Sequence, residues 1–419
     1  MKEKGRAIRQ PPACSENGGT KAIPCVRCGA CTSVCPIYRA TGRESLTARG
    51  KHHLLDSETS ASPVLADILS NCLLCGACEN ACSRGIDTPS RVAEARGRLP
   101  GTASFLAHLT RKALGHPALL TAGTAAGRLL TRCLPEESGL RLRLGLLCPG
   151  RSAPHEPGPE VTAETGMAVN PAAASCLLFT GCLAAHLEPE IATATAQVVA
   201  RLTGSPPFVP RIQTCCGMAA RGAGDLEEAR RLARKNIAAF EGSVLPILTP
   251  CGSCSSHLLT YPDLLADDPA WSERALAFVG RLRELTSFCD TLWAQAAPKL
   301  KSPPPAPERV FYHDPCHLRF DLKITTPPRR LLQRLPAVEL AELPGGPQCC
   351  GLGGLFHLSH PEISRRIRDS LAASFAGLDA TTVVTTCTGC LLQWRQLLAA
   401  GGTKARAEHL AVFLARYLE

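Results

Sequence analysis

The sequence predicts a chain of mixed class, α+β and α/β, in which a helical N-terminal domain precedes two copies of an α/β domain with a parallel sheet. Three observations lead to this prediction. Two runs of four cysteines lie within about the first hundred residues, a second cysteine pattern occurs twice later, and short apolar segments alternate with longer amphipathic ones in both copies. We expect domains at residues 1–98, 171–298 and 306–419, with a helical connector and a flexible Pro- and Gly-rich linker over 99–170.

The composition allows several compact domains with reduced cysteines. The chain has 419 residues, of which 45% are hydrophobic, enough for two or three cores, and it contains 23 cysteines. Its N-terminal segment carries basic residues without the apolar stretch of a signal peptide, so we expect metal-binding thiols and a cytoplasmic location, in solution or at the inner face of the membrane. We find no uncharged apolar run of 18 residues, so a transmembrane helix is not expected. The Leu-rich stretch 105–147 is interpreted as short amphipathic helices that pack on the protein or lie on a membrane surface.

The charge of the chain argues for a redox role more than for nucleic-acid binding. The formal net charge is +10. The arginines are scattered and aromatic residues are only 4% of the chain, so the stacking platforms of nucleic-acid-binding proteins are missing. We expect the positive charge to offset anionic thiolate-ligated clusters and to steer an acidic redox partner.

The first part of the chain contains the cysteine run of bacterial ferredoxins twice. The first run is Cys25-x2-Cys28-x2-Cys31-x3-Cys35-Pro, and the second has the same spacing, with Ser83 in place of the proline. In this pattern three cysteines hold one [4Fe-4S] cubane and the fourth reaches the other cluster. Zinc sites use pairs of CxxC and do not fit the spacing. The predicted ligands are, for the first ferredoxin site, Cys25, Cys28, Cys31 and Cys82, and for the second ferredoxin site, Cys72, Cys75, Cys78 and Cys35.

Small and basic residues around these runs have predicted roles of their own. Gly29 and Gly76 would let the backbone pass close to a cubane. Arg49 and Lys51, between the runs, have two interpretations of equal weight. They contact a cluster or a partner, or they belong to a solvated basic face.

The second half of the chain is an internal duplication. Phe179-Thr-Gly-Cys182 parallels His313-Asp-Pro-Cys316, with an offset of 134 residues, and the later Cys-Cys-Gly and CxxC motifs follow at offsets of 134 and 136. Apolar runs predict buried strands, each ending at a cysteine, at 177–179, 244–248, 310–312 and 383–384. Helical periodicity follows at 190–202, 225–240, 361–375 and 409–418. Because ligands collect at the carboxyl ends of parallel strands, we expect the cysteines to meet there.

Each copy carries five cysteines in the order C, CCG, CxxC. Adjacent cysteines suit a cluster better than one compact tetrahedral ion, and the glycine lets the chain turn beside it. The first five-cysteine site comprises Cys182, Cys215, Cys216, Cys251 and Cys254, and the second five-cysteine site comprises Cys316, Cys349, Cys350, Cys387 and Cys390. Five cysteines have no ligand spacing: Cys14, Cys133, Cys148, Cys176 and Cys289. Of these, Cys176 is predicted to be a buried structural thiol. The histidines at 313, 317 and 357, near the second site, are interpreted as loop residues in preference to ligands or proton donors.

These motifs resemble those of the iron–sulfur subunits that join a two-cluster ferredoxin module to two CCG domains, named after the Cys-Cys-Gly motif. The resemblance covers the chain from about residue 20 to its end. The family includes the iron–sulfur subunits of glycolate oxidase, of FAD-linked lactate dehydrogenases and of anaerobic glycerol-3-phosphate dehydrogenase, and the catalytic subunit of heterodisulfide reductase. The resemblance implies one or two further [4Fe-4S] clusters in the five-cysteine sites, cubane or, as in heterodisulfide reductase, noncubane. Many dehydrogenase-associated members lack cysteines in one copy, whereas both copies are complete in this chain.

Three functions follow from the resemblance and the motifs. The first is the electron-transfer subunit of an FAD-linked lactate or glycolate dehydrogenase. Because the chain has no GxGxxG after a strand and no P-loop, the flavin would belong to a partner subunit, and electrons would pass to a quinone or another carrier. The second is a heterodisulfide reductase-like subunit that cleaves a disulfide at noncubane clusters, which the full cysteine set favours. The third is a non-catalytic electron conduit in a membrane redox complex.

Overall fold

The N-terminal domain of the computed structural model consists of short helices around two cysteine-rich loops. The structure describes residues 24–57, 62–99, 105–116, 119–120, 122–123, 174–304, 306–401 and 403–419. Side-chain caps fix several helix starts: Thr47 accepts a hydrogen bond from the amide of Gly50, and Ser62 and Asp87 cap their helices in the same way. The elements are α1 (Ala30–Val34), α2 (Pro36–Thr41), a 3-10 turn (Glu44–Leu46), α3 (Ala48–Asp56), α4 (Pro63–Ser70), α5 (Ala77–Ala81) and α6 (Thr88–Arg98).

The predicted connector is described only in part. Helix α7 spans Phe105–Leu114. Most of the remaining Leu-rich stretch lies outside the residues that the structure describes, as do the Pro- and Gly-rich linker at 149–159 and Cys14, Cys133 and Cys148. Within the described ranges, every helix is too short or too polar to span a membrane.

The first copy of the duplicated domain is built on a parallel sheet. Strands β1 (Leu177–Leu178), β2 (Ile247–Thr249) and β3 (Leu282–Glu284) pair in the order β1-β2-β3, and Phe208 forms a parallel bridge with Leu177 on the other side of β1. The helices are α8 (Gly181–His186), α9 (Pro189–Thr203), α10 (Met218–Gly222), α11 (Leu226–Ala239), α12 (Gly252–Leu258), α13 (Tyr261–Leu264), α14 (Ser272–Gly280) and α15 (Leu285–Ala296).

The second copy repeats this architecture with longer strands. Its parallel sheet has the order β5-β4-β6-β7, and β5 occupies the position that the Phe208 bridge holds in the first copy. The elements are β4 (Glu308–His313), a π-helical turn (His317–Asp321), α16 (Thr326–Gln333), β5 (Val338–Ala341), α17 (Phe356–Ser359), α18 (Pro361–Ala376), β6 (Thr382–Thr385), α19 (Thr388–Ala400), β7 (Arg406–His409) and α20 (Leu410–Tyr417). The predicted fold class is therefore confirmed, as are the four predicted strands and the four predicted long helices to within a few residues.

Three strands were not predicted: β3, β5 and β7. Each lies at the edge of its sheet and is only partly buried. Their sequences mix charged and apolar residues, unlike the apolar runs of the central strands, which are buried on both faces. Hydrophobic periodicity alone gives little signal for such strands.

The two copies pack together about an approximate twofold axis. Helix α9 of the first copy contacts α20 of the second, and α15 contacts α16, which is the same pairing with the copies exchanged. These helices enclose one apolar core that includes Leu178 and Val198 from the first copy and Val310 and Phe413 from the second. The duplicated domains therefore share a core.

Two of the cysteines without ligand spacing lie within the described residues, and both are structural. Cys176 and Cys289 are fully buried in this shared core. Burial raises the pKa of Cys176 to about 11, and a buried thiol of high pKa is chemically inert. The prediction for Cys176 is confirmed.

Candidate iron–sulfur sites

The cysteines predicted for the first ferredoxin site surround one cavity at the surface of the N-terminal domain. Its lining includes all four of them, together with Cys78, Arg49 and His52. Cys28 is exposed, and the side chain of Val26 is 56% exposed. The site therefore lies where a partner protein can approach it.

The two ferredoxin runs wind their backbones in the same way. In the first run Arg27 and Gly29 have left-handed φ angles of 57° and 83°, and in the second run Leu74 and Gly76 have 53° and 75°. Such turns direct successive amide N–H groups toward one point, which suits an anionic cluster. The backbone thus fits two [4Fe-4S] cubanes, and both glycines adopt a positive φ that other residues rarely take.

The cysteines of the second ferredoxin site are half-buried. Burial, followed by the nearby Cys72, raises the pKa of Cys78 to about 12, with Cys35 contributing further. The pKa of Cys75 is raised by burial and by its neighbours Cys78, Cys72 and Cys35. The predicted four cysteines are therefore mutual neighbours, and their thiolates would need a metal to balance their charge.

Lys51 belongs to this second site. Its side chain is 1% exposed, and its ammonium group donates to the carbonyl oxygens of Leu46 and Asn71, at 3.1 Å for Asn71. Burial lowers the pKa of Lys51, while Cys72 and Cys35 oppose that shift. The solvated-face interpretation is therefore wrong for Lys51. Arg49 is partly exposed and contacts Glu44 and the Arg27 carbonyl oxygen at the first site.

The two five-cysteine sites form at the carboxyl ends of the central strands, as predicted. Cys251 and Cys387 directly precede α12 and α19, and Cys254 and Cys390 lie in those helices. The glycine after each Cys-Cys pair is left-handed, with φ of 100° at Gly217 and 83° at Gly351. A side chain at Gly351 would lie 2.8 Å from the Ser364 carbonyl oxygen. The sharp turn expected beside each pair is present.

The cysteines within each site contact one another. In the first site, thiols of Cys182 and Cys216 hydrogen bond to Cys215 and lower its pKa well below the usual value. In the second site, the Sγ atoms of Cys350 and Cys390 are 3.5 Å apart. Hydrogen bonds from Cys349 and Cys390 likewise lower the pKa of Cys350. A stabilised thiolate is the form that binds metal.

The sites also contact each other across the approximate twofold axis, which the sequence did not indicate. Cys251 is hydrogen bonded to Cys254 and to Cys387, which lowers its pKa. The amide of Gly252 donates to the Thr386 carbonyl oxygen at 2.8 Å. The cysteines of both copies therefore form one continuous series.

The second five-cysteine site adjoins the second ferredoxin site. Cys349 packs in the same apolar cluster as Cys35 and Cys75. The pKa of Cys316 is raised by burial and then by Cys75, Cys350 and Cys387. The ferredoxin module therefore places its second site against the second copy of the duplicated domain.

His317 connects these two regions. Its Nε2 lies 3.1 Å from the Leu74 carbonyl oxygen in the ferredoxin module, and its Nδ1 lies 2.9 Å from the Ser253 hydroxyl. Ser253 Oγ is in turn 3.2 Å from the Sγ atom of Cys387. His357 Nδ1 lies 2.9 Å from the Gly354 carbonyl oxygen of its own loop. For His317 the loop interpretation is incomplete, because its ring joins two domains.

His313 and Trp394 were not assigned to a site from the sequence. His313 is 2% exposed and lies with Cys350 and Cys390, and the ligand atoms of all three are within 4.8 Å of one another. Trp394 follows Cys390 by one helical turn, and its buried indole N–H has no partner among the described residues. Cluster sulfur is an acceptor for such a donor, so the site fits an iron–sulfur group. Spacing could not identify either residue, because both depend on how β4 and α19 pack.

A ferredoxin module with two cysteine sites, joined to a continuous pair of five-cysteine sites, defines a multicluster iron–sulfur protein. Residues 21–86 match the model of the 4Fe-4S dicluster domain, and residues 176–259 and 310–395 match that of the cysteine-rich domain. The chain carries several [4Fe-4S] clusters.

Curated relatives identify the family. The chain is 31% identical, over 94% of its length and 93% of the relative's, to a probable glycolate oxidase iron-sulfur subunit of Bacillus subtilis. It is 26% identical to the glycolate oxidase iron-sulfur subunit of Escherichia coli, over 91% of both chains. It is also 34% identical to lactate utilization protein A of Bacillus pumilus, over 51% of this chain and 88% of that protein. The chain belongs to this family of iron–sulfur subunits.

Proposed function

We propose that this chain is the electron-transfer subunit of an FAD-linked dehydrogenase that oxidises lactate or glycolate. The names of its relatives, glycolate oxidase iron-sulfur subunit and lactate utilization protein A, support the substrate class. The observation that carries the proposal is the contact between the second ferredoxin site and the second five-cysteine site. A subunit that only stored iron would have no need to bring separate sites together.

The ligand sets form a series from the surface to the interior. Cys28 is exposed at one end, Cys35 and Cys75 are packed against Cys349 in the middle, and Cys251 meets Cys387 at the axis between the copies. Bound [4Fe-4S] clusters would supply one-electron redox chemistry at these positions. The residues of the chain hold the sites adjacent, and Cys28 of the first ferredoxin site is the most exposed of the predicted ligands.

The exposed first ferredoxin site is the proposed docking point for a redox partner. Val26 and Cys28 are exposed there, and Arg27, Arg49 and Arg84 contribute to the same cavity wall. Basic residues around a small apolar centre suit an acidic partner surface. We place the flavin on that partner or on another subunit, with a quinone or another carrier as the acceptor, and the complex in the cytoplasm or at the inner face of the membrane.

Anaerobic affinity purification from the native host tests this proposal. We expect an FAD-containing partner subunit and about 16 iron atoms per chain, the count for four [4Fe-4S] clusters. Reduction of the clusters by lactate or glycolate, followed by absorbance, should require the partner. A cytochrome partner without flavin, or reduction by neither acid, would contradict the proposal.

A second candidate is a heterodisulfide reductase-like subunit. The continuous contact of Cys251 with Cys254 and Cys387 favours it, because both copies contribute sulfur to one place where a disulfide could react. This candidate predicts that thiol or disulfide treatment of the oxidised protein produces a new paramagnetic signal, and that Cys349→Ala abolishes it. No such signal under any oxidising treatment would exclude it.

A further inference from the structure

Position 313 distinguishes the two copies of the duplicated domain. His313 aligns with Phe179 in the first copy, because each residue lies three positions before the first cysteine of its own five-cysteine site. Phe179 packs in an apolar cluster with Cys215 and Cys216 and contacts Phe240. The second copy has an imidazole where the first has only a hydrocarbon ring.

The end of β4 holds His313 in a defined position. His313 pairs in register with Thr385 of β6, and the Thr385 hydroxyl donates to the His313 carbonyl oxygen at 3.1 Å. The ring lies 5.6 Å from Trp394 and 6.4 Å from Phe311, both at steep interplanar angles. The ring is therefore enclosed by aromatic groups on the side of the sheet that faces the cysteines.

Three possible metal ligands meet at this point. A nitrogen of His313 and the Sγ atoms of Cys350 and Cys390 all lie within 4.8 Å of one another, and all three residues are buried. The two sulfur atoms are 3.5 Å apart. Three buried donor atoms this close together can bind the same metal group.

We propose that His313 is a nitrogen ligand of the iron–sulfur group of the second five-cysteine site, bound beside Cys350 and Cys390. The two sites would then hold chemically different clusters, one ligated by sulfur alone and one by sulfur and nitrogen. An imidazole at an iron position that a thiolate occupies in the first site would remove negative charge from the iron and raise its reduction potential. The second site would therefore be the more readily reduced of the two. The inference depends on the proposed function only in that this site contains an iron cluster.

Pulsed EPR on anaerobic holoprotein labelled with 15N-histidine tests the proposal. The signal of the second site is first identified as the one lost in Cys349→Ala and retained in Cys215→Ala. We expect that signal to show the hyperfine coupling of a directly bonded nitrogen. The coupling should disappear in His313→Phe, which introduces the residue of the first copy, and persist in the control His357→Phe.

A second variant distinguishes loss of the nitrogen ligand from loss of the whole cluster. His313→Cys supplies a sulfur ligand, so we expect it to retain iron, lose the nitrogen coupling and shift the midpoint potential of the site to a more negative value. A second-site signal without bonded nitrogen, or coupling that survives His313→Phe or His313→Cys, would overturn the inference while leaving the proposed function intact. Iron near 8 atoms per chain would instead contradict the clusters of both five-cysteine sites.

Discussion

The two copies of the duplicated domain have the same scaffold but different surroundings for their cysteines. Phe179 and Leu183 of the first copy align with His313 and His317 of the second, and Leu258 aligns with Trp394. The ferredoxin module brings the half-buried cysteines of its second site to the second copy, near Cys316. Its contacts with the first copy are made by other residues, such as Arg221 with Ser90. The first copy has polar groups of its own beside its cysteines, since Asn236 and Tyr261 donate to the Cys215 and Cys216 carbonyl oxygens. The polar surroundings of the sulfur therefore differ in kind between the copies.

This difference suggests that duplication supplied two equal sites and that later change specialised one of them. The backbone features that form the sites are kept in both copies, including the left-handed glycine after each Cys-Cys pair. What differs is the set of side chains that would set a reduction potential: ligands, hydrogen-bond donors and nearby charges. Substitutions at matched positions of the two copies test which of these side chains matter.

The largest expected effect comes from removing one cysteine of each Cys-Cys pair. Cys349→Ala and Cys215→Ala should each lose about four iron atoms per chain, the content of one [4Fe-4S] cluster. Only Cys349→Ala should also alter the EPR signal of the second ferredoxin site, because Cys349 packs with Cys35 and Cys75. Iron analysis and low-temperature EPR measure both effects. If both variants changed the EPR signal of the second ferredoxin site equally, the contact of that site with the second copy alone would be contradicted.

The ion pairs between the copies should contribute the next largest effect. Asp290 on α15 is buried and accepts from Arg330 at 2.5 Å and from Arg334 at 2.8 Å, both on α16 or at its end. Asp290→Ala leaves two arginines without their partner, and because both are partly exposed we expect a loss of about 2 kcal/mol in the free energy of unfolding. The exposed pair of Glu241 with Arg274 is a control within one copy, and Glu241→Ala should destabilise the protein far less than Asp290→Ala does.

Thermal unfolding followed by circular dichroism of anaerobic protein compares the two variants. A drop in melting temperature for Asp290→Ala no greater than that for Glu241→Ala would mean that the shared apolar core alone holds the copies together.

The sequence predicted the duplicated fold and the positions of its cysteines well. It did not predict the different surroundings of the cysteines in the two copies. Cysteine spacing and apolar runs are local signals, and they predicted the duplicated sheet and the convergence of cysteines at strand ends. The meeting of Cys251 with Cys387 and the enclosure of Lys51 depend on packing between segments far apart in the chain. A basic residue in a helix such as Lys51 has the same local pattern whether it is solvated or buried.

Lys51 allows a test of how charge differs between the two ferredoxin sites. Its ammonium group is buried near Cys72 and Cys35 of the second site, where a positive charge stabilises the more negative, reduced state. At an effective dielectric constant of about 20, a nearby unit charge is worth about 2 kcal/mol, or on the order of 90 mV for a one-electron couple. Lys51→Met should therefore lower the midpoint potential of the second ferredoxin site by about that amount.

Redox titration monitored by EPR measures the change, and the exposed Lys323 provides a control through Lys323→Met. An equal shift of the midpoint potential in both variants would contradict the assignment of Lys51 to the second ferredoxin site. So would a shift confined to the first ferredoxin site.

The smallest expected effect is at the contact between the two copies, where the matched residues are Ser253 and Gly389. Ser253 Oγ lies 3.2 Å from Cys387 Sγ and 2.9 Å from His317 Nδ1. A metal-bound thiolate can only accept a hydrogen bond, so the hydroxyl donates to Cys387 in the state in which His317 Nδ1 is itself a donor. One such bond is worth about 1 kcal/mol, or roughly 40 mV for a one-electron couple. Ser253→Gly, which introduces the residue of the other copy, should lower the potential of the second five-cysteine site by that amount. The first five-cysteine site is the internal reference, and an equal shift of both potentials would show that Cys251 and Cys387 act as one redox unit.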